Sequence, residues 1–311
     1  MDQSEPILSH LAAQFFSRNY DYLWLRAMLE QAGKTKTDGS TLITGSSHAL
    51  NGIKENCWKR AFNCSMHSQD IYYDFQCAKR ALDTAEKGRF ARCFIVMGYY
   101  IAYQDLSRSK VSRETMISNI YYPIFRNSHN WENPSRRDLW DGLGEIPEPI
   151  QKHCEQIAIQ KLLEYGSYYS EIRPRGTLFD LKGRTWEQVS KQERMAMGQA
   201  RAADHNRIFQ HKESFEENKG ILQEFIRYLY AREVQPIVVI TPFSEEYNCF
   251  ILPEMKAGVL ELLDAAQEDI HYVDFNQALE LFEPADFMDT DHLSLKGAEK
   301  VSNILVEMFG K

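Results

Sequence analysis

The 311-residue sequence lacks the signals of several protein classes. Its six cysteines include no CxxC pair, and this favours a reducing compartment over a disulfide framework. Neither a Walker A nor a GxGxxG motif is present, so we expect no nucleotide cofactor. The formal net charge of −8 argues against general nucleic-acid binding, because phosphate recognition needs a basic face.

Long hydrophobic runs are also missing. No stretch approaches the roughly 18 consecutive apolar residues that a membrane span requires. The first residues, MDQSEPILSHLAAQFF, have no basic region followed by an unbroken apolar segment, as a secretory signal would. We therefore expect no membrane span and a cytoplasmic location.

Short apolar runs alternate with amphipathic segments at both ends of the chain. The early part predicts strands at 41–44, 60–63 and 91–97, and a helix at roughly 68–87 that Ser68 caps. The late part predicts strands at 236–241 and 270–275, and helices near 216–232, 253–267 and 295–309. This alternation predicts a three-layer α/β/α sandwich with a central, mostly parallel sheet of the flavodoxin-like type.

The middle of the chain is less regular. We predict a single domain over 1–311, in which 106–215 is a largely helical insertion that covers the active-site edge of the sheet. Helical spacing appears near 7–32 at the start of the chain, and near 151–168 and 186–212 in the middle. His205 and Asn206 fall in the last of these helices, where a solvated face is the default interpretation.

The first predicted strand ends abruptly in the sequence Gly45-Ser46-Ser47-His48. Parallel sheets place their chemistry at the carboxyl ends of their strands. Ser47 would begin a short helix there, where free backbone N–H groups suit a serine nucleophile and its oxyanion. The competing interpretation is that these serines merely cap the helix.

A second motif precedes the last predicted helix. Asp289 and His292 are three residues apart in a loop, so the carboxylate can hold the imidazole as a serine-hydrolase triad requires. Two interpretations compete with this one. Asp291 or Ser294 could cap the helix beside an ordinary loop histidine, or Asp289, Asp291 and His292 could bind a metal ion. No second ligand cluster with clear spacing accompanies them, so we expect no metal.

Together the two motifs resemble the SGNH (GDSL-like) hydrolases in order, spacing and context. The GSS at 45–47 stands where that family has Gly-Asp-Ser, and Ser47 matches the nucleophile. Asp289 and His292 match the family's acid and base. The HLSLKG at 292–297 is most similar to the branch that contains the teichoic-acid D-alanyl-transfer proteins.

The resemblance also implies an oxyanion hole, with two departures. Besides the Ser47 amide, the family uses a glycine amide after the second strand, and Ser68 stands at that position. An asparagine after the third strand is replaced by Tyr100. His48, Phe243 and Tyr247 are weaker candidates for the substrate pocket.

The resemblance implies a serine-dependent acyl-ester hydrolase with a Ser47-His292-Asp289 triad and no cofactor. Its partner would be a small-molecule acyl ester or an acylated carbohydrate, by analogy a surface-polysaccharide precursor. Two alternatives stay open. The same triad serves an O-acyltransferase if a sugar hydroxyl replaces water, and a non-catalytic binding protein would keep the fold without turnover, which the missing asparagine favours.

Overall fold

A computed structural model describes residues 4–135, 137–165 and 179–310 of the chain. These residues fall into two compact units. One unit draws on residues 1–30 and 106–176, and the other on residues 31–105 and 177–311. The region predicted as one insertion at 106–215 is thus divided, since residues from 177 onward group with the sheet.

Helices and strands alternate through much of the chain. The strands are β1 (Ser40–Gly45), β2 (Ala61–Asn63), β3 (Phe90–Met97), β4 (Gln235–Ile240) and β5 (His271–Asp274). The helices are α1 (Ser4–Arg18), α2 (Tyr20–Gly33), α3 (Ser47–Gly52), α4 (Ile71–Thr84), α5 (Lys110–Ser112), α6 (Tyr122–Phe125), α7 (Glu148–Tyr165), α8 (Lys191–Asn206), α9 (Lys212–Ala231), α10 (Glu245–Asn248), α11 (Pro253–Ala266) and α12 (Leu295–Phe309). A π-helical stretch, Arg113–Tyr121, joins α5 to α6. None of the described helices has the length and apolar character needed to cross a bilayer.

The first unit is helical and brings the N-terminal helices together with α7. The Cys154 thiol of α7 donates to the Leu8 carbonyl in α1, 3.7 Å away, and Arg26 in α2 forms an ion pair with Glu155. The ring of Phe15 stacks on Trp140 with a centroid separation of 4.2 Å. The helix predicted near 151–168 corresponds to α7, and positions 166–168 lie outside the described residues.

The second unit contains a five-stranded, all-parallel sheet in the order β2-β1-β3-β4-β5. This confirms the predicted fold class, and the order is that of flavodoxin-like sheets. The strand order reverses beside β1, so the crevice for ligands lies at the carboxyl ends of β1 and β3. The Gly-Ser-Ser motif follows β1 directly and therefore opens into this crevice.

Both faces of the sheet are covered by helices. Successive side chains of a strand point to opposite faces, so alternate residues such as Ile43, Phe94 and Val239 share one face. They form a buried cluster with Val301 and Leu305 of α12. On the other face α4 and α9 pack together through stacked rings of Phe75 and Phe225, 5.2 Å apart. The helices packed on the two faces hold the carboxyl ends of the strands in place.

Candidate active site

Gly45 ends β1 in a conformation that other residues rarely adopt. Its φ is +142°, and it lies opposite Val96 of the neighbouring β3. A Cβ at this position would lie 2.1 Å from the Val96 carbonyl oxygen. The absence of a side chain therefore lets the two strands stay in register while the chain turns out of the sheet.

The serine that caps α3 is Ser46. Its hydroxyl accepts from the His48 backbone N–H at 3.4 Å, and its carbonyl accepts from Ala49 N–H at 3.0 Å. Ser47 is the first helical residue, and its side chain is 8% exposed. The helix cap is therefore Ser46 and the candidate nucleophile is Ser47. The Ser47 hydroxyl is available for another partner.

The loop before α12 is held closed by its own hydrogen bonds. Phe287 and Leu293 form an antiparallel bridge, and Met288 N–H donates to the His292 carbonyl at 3.0 Å. One oxygen of Asp289 accepts from the backbone N–H groups of Asp291 and His292, at 3.1 and 2.9 Å. The helix cap is Ser294, whose hydroxyl accepts from Gly297 N–H. These bonds fix the Asp289 carboxylate beneath the His292 ring.

A chain of hydrogen bonds connects Asp289, His292 and Ser47. His292 Nδ1 lies 3.0 and 3.2 Å from the two carboxylate oxygens of Asp289. His292 Nε2 lies 2.8 Å from Ser47 Oγ. A carboxylate can only accept, so Nδ1 carries the hydrogen and Nε2 accepts from the serine hydroxyl. This is the tautomer in which a histidine can deprotonate a serine.

The surroundings of His292 favour its protonated form. Burial lowers the pKa of this imidazole, but the carboxylates of Asp289 and Asp291 outweigh it and raise the pKa of His292 above its ordinary value. The ring is 4% exposed, so solvent screens these charges little. The imidazolium that forms when Ser47 loses its proton is therefore stabilised.

His48 lies directly against the candidate base. Its ring stacks on His292 with a centroid separation of 5.2 Å and an angle of 19° between the planes. Its Nε2 is 3.3 Å from the Tyr100 hydroxyl. Burial and the neighbouring His292 lower the pKa of His48 to about 3, so the ring is neutral. It therefore adds no charge to the site.

Helix α8 contributes two side chains that the sequence did not place at the site. Arg201 contacts both carboxylate oxygens of Asp291 at 3.2 Å. His205 is 5% exposed, and its Nδ1 lies 2.5 Å from the Tyr247 hydroxyl. The solvated face expected for His205 is therefore wrong. Asn206 is half-buried and bonds both the Phe250 carbonyl and the Leu252 N–H, so it too makes tertiary contacts.

The two unusual oxyanion candidates lie in different settings. Ser68 does not begin a helix as predicted: α4 starts at Ile71, and Asp70 caps it by accepting from Tyr73 N–H. Ser68 is exposed in a turn, with a φ of +58°. Glycine adopts this conformation most easily, and glycine is the residue that the resemblance implies there. Tyr100 is buried, its hydroxyl is near His48, and its ring stacks on His205 at 3.7 Å.

The predicted pocket residues are buried side by side. Phe243 meets the ring of His48 edge-on at 5.3 Å and that of Tyr247 at 5.1 Å. Phe243 also borders a cavity of about 420 Å³. Hydrophobic side chains and charged groups line this cavity together, among them Phe282, Phe287, Arg194 and Glu246. Their part in substrate binding remains a prediction.

Asp289, Asp291 and His292 have ligand atoms within 4.8 Å of one another, as the metal interpretation requires. Each of these atoms already has a partner of suitable charge. His292 Nδ1 faces Asp289, and both oxygens of Asp291 face Arg201. Asp289 and His292 are therefore assigned to the hydrogen-bond chain, and Asp291 to the ion pair with Arg201.

Asp74 of α4 is a buried carboxyl group behind the Gly-Ser-Ser turn. It is fully buried, and one of its oxygens accepts from the Gln69 amide at 2.6 Å while the other has no hydrogen-bond partner among the described residues. Burial raises the pKa of Asp74 well above its usual range, although the Gln69 amide opposes this. The folded protein therefore keeps this proton to a higher pH than the unfolded chain does.

Asp74 should make the protein less stable as the pH rises. From pH ~4 up to the raised pKa, the free energy of unfolding should fall by about 1.4 kcal/mol per pH unit, because the unfolded state binds one proton fewer. Asp74→Asn should remove this contribution to the slope, measured by urea unfolding from pH ~4 upward. Glu224→Gln, which removes an exposed carboxylate of α9, should leave it intact. An unchanged slope in Asp74→Asn would show that folding does not raise the pKa of Asp74.

The second unit thus has an α/β fold with a parallel sheet. At the carboxyl edge of this sheet, a serine, a histidine and an aspartate are connected by hydrogen bonds. Neither the models of known protein families nor the curated proteins yield a match to the chain. The geometry of this site and the motif resemblance are therefore the basis for a functional assignment.

Proposed function

We propose that this protein is a serine-dependent acyl-ester hydrolase. The observation that carries the proposal is the 2.8 Å contact between Ser47 Oγ and His292 Nε2, with Asp289 bonded to the opposite nitrogen of the ring. Nucleophile, base and orienting carboxylate are all buried, which suits chemistry that water would otherwise weaken. The expected substrates are esters of a short acyl group with a small molecule or a carbohydrate.

In the proposed reaction His292 Nε2 accepts the proton of Ser47 while Oγ attacks the ester carbonyl. The resulting oxyanion is stabilised by the Ser47 backbone N–H, which belongs to the first turn of α3 and has no partner within the helix. His292 then protonates the leaving alcohol. Water attacks the acyl-enzyme by the reverse route, releasing a carboxylic acid and restoring the Ser47 hydroxyl.

The proposal is tested by covalent labelling. A fluorophosphonate probe should label the wild-type chain, and labelling should disappear in Ser47→Ala and His292→Ala, because one lacks the nucleophile and the other the base. Ser46→Ala should still be labelled, since its hydroxyl caps the helix. Labelling would be followed by gel fluorescence, with circular dichroism to verify that each variant is folded.

The rival functions predict different patterns. A binding protein predicts no labelling of the wild type and no turnover of 4-nitrophenyl acetate, and this result would end the hydrolase proposal. A metalloenzyme predicts that a chelator, rather than Ser47→Ala, removes the activity. An acyltransferase predicts labelling of Ser47 with release of the acyl group to an added sugar in preference to water.

A further inference from the structure

Helix α8 presents two arginines to buried carboxylates. Arg194 Nε lies 2.6 Å from Glu246, and Arg201 lies two helical turns later and binds both oxygens of Asp291. Both acceptors are nearly inaccessible, with 7% and 0% of their side chains exposed. The two ion pairs are alike in burial and in helix face, but only Arg201 reaches the loop that carries His292.

Asp291 places a second carboxylate beside the candidate base. Its nearer oxygen is 3.8 Å from His292 Nδ1, and the oxygens of Asp289 are 3.0 and 3.2 Å from the same nitrogen. Two uncompensated carboxylates at one imidazole strongly favour its charged form. An imidazolium cannot accept the proton of Ser47, so a second carboxylate would hinder the proposed reaction unless it is neutralised.

The groups around His292 come from several elements. They are Asp289 and Asp291 in its own loop, Ser47 and His48 in α3, Arg201 and His205 in α8, Tyr247 in α10, and Tyr100 after β3.

Most of these groups carry no charge. Burial lowers the pKa of both His48 and His205, so the two imidazoles are neutral. Burial raises the pKa of Tyr100 and of Tyr247, so both phenols keep their protons. Among the described groups around His292, Arg201 is therefore the one permanent cation.

The Arg201 guanidinium is one of the groups that keep Asp291 ionised. Burial would raise the pKa of Asp291, but His292 and Arg201 together lower it below its ordinary range. The carboxylate is therefore ionised, and its contact with Arg201 through both oxygens gives it a permanent counter-charge. Asp289 remains as the single carboxylate that acts on His292 without a permanent counter-charge.

We propose that Arg201 is a positioning residue of the hydrolase site, which neutralises Asp291 and thereby leaves His292 free to accept the proton of Ser47. The inference rests on the proposed hydrolase function. It assigns the two aspartates of the DTDH segment different tasks: Asp289 orients the base and stabilises the imidazolium that forms during the reaction, and Asp291 anchors α8 through Arg201. A merely structural ion pair would stabilise the fold without affecting the titration of His292.

The test compares the titration of His292 in five variants with that of the wild type. Arg201→Met leaves Asp291 without its counter-charge and should raise the pKa of His292 by about one unit, the usual effect of one nearby charge. Asp291→Asn should lower it, and the double variant Arg201→Met/Asp291→Asn should return close to the wild type. Arg201→Lys keeps the charge and should also titrate like the wild type. Arg194→Met removes the matched ion pair of α8 and should cause no shift.

Two readouts separate this inference from the proposed function. NMR titration of labelled imidazole rings follows His292 directly and needs no turnover. The acidic limb of kcat/KM for 4-nitrophenyl acetate should move with the NMR value, because only neutral His292 is a base. If the wild type is inactive, the hydrolase proposal fails while the titration still decides the electrostatic role.

The inference is overturned if Arg201→Met and Arg194→Met give the same His292 titration. If Arg201→Met does not fold, Asp291→Asn and Arg201→Lys carry the test alone. An Asp291→Asn variant that titrates like the wild type would show that this carboxylate has no influence on the base. A downward shift in Asp291→Asn with wild-type behaviour of Arg201→Lys supports the assignment.

Discussion

Replacement of Ser47 by alanine should lower kcat for an acyl ester by about 10⁶-fold, because no other group then forms the acyl-enzyme. His292→Ala should cause a loss of similar size, and the double variant should lose little more, since the two residues act as one unit. Asp289→Asn should cost about 10⁴-fold through the wrong imidazole tautomer. Steady-state kinetics with 4-nitrophenyl acetate would measure all four variants.

Ser46→Ala is the matched control for this result. It removes a neighbouring hydroxyl in the same turn, so kcat should stay within tenfold of the wild type. The lost cap should lower the free energy of unfolding by about 1 kcal/mol. If Ser46→Ala abolished turnover and Ser47→Ala did not, the nucleophile would be misassigned. Equal, small losses in all variants would point to catalysis by a contaminating enzyme.

The proximity of Ser47 to the Asp289-His292 loop was predictable from motif order and fold class. In a parallel sheet the carboxyl ends of the strands share one edge, so a loop after the first strand and a loop after the last open at the same edge. The sequence could also predict the strands, because each is a short β-branched or apolar run. Turnover of a substrate by these residues is a proposal.

The contribution of α8 could not be predicted in the same way. Arg201 and Asp291 are far apart in the chain, and their contact depends on how α8 packs on the loop after β4. That packing is close: a Cβ on Gly198 would lie 2.2 Å from the Glu246 carbonyl oxygen. The sequence feature that could have indicated this packing is Gly198, which lies between Arg194 and Arg201 in α8. Charged residues at helical spacing usually indicate a solvated face, so the sequence by itself does not favour a buried contact for Arg201.

The cap of α4 shows how local signals compete. Ser68 and Asp70 are both good capping residues, and the sequence alone does not rank them. The chain forms a turn at Met66–Gln69, closed by a bond from Gln69 N–H to the Met66 carbonyl, and this delays the helix until Ile71. The left-handed backbone of Ser68 belongs to that turn. This local turn therefore leaves Asp70, rather than Ser68, to cap the helix.

Gly45→Ala should lower the free energy of unfolding by about 4 kcal/mol, close to the largest values seen for single substitutions. The new Cβ would meet the Val96 carbonyl oxygen at 2.1 Å and the Ala49 side chain at 3.0 Å. Neither neighbour can move easily, because Val96 belongs to a central strand and Ala49 to the helix that follows Ser47. Urea unfolding followed by circular dichroism would measure the loss.

Gly88→Ala separates backbone strain from this steric contact. Gly88 also has a positive φ, +85°, but a Cβ there would meet nothing within 4 Å. Its substitution should therefore cost only about 1 kcal/mol, the penalty of the backbone conformation alone. If Gly45→Ala cost no more than Gly88→Ala, the β1–β3 register could relax at the crevice. Ser47 would then not be held rigidly opposite His292. The 2.8 Å contact between Ser47 Oγ and His292 Nε2 would no longer support a catalytic role.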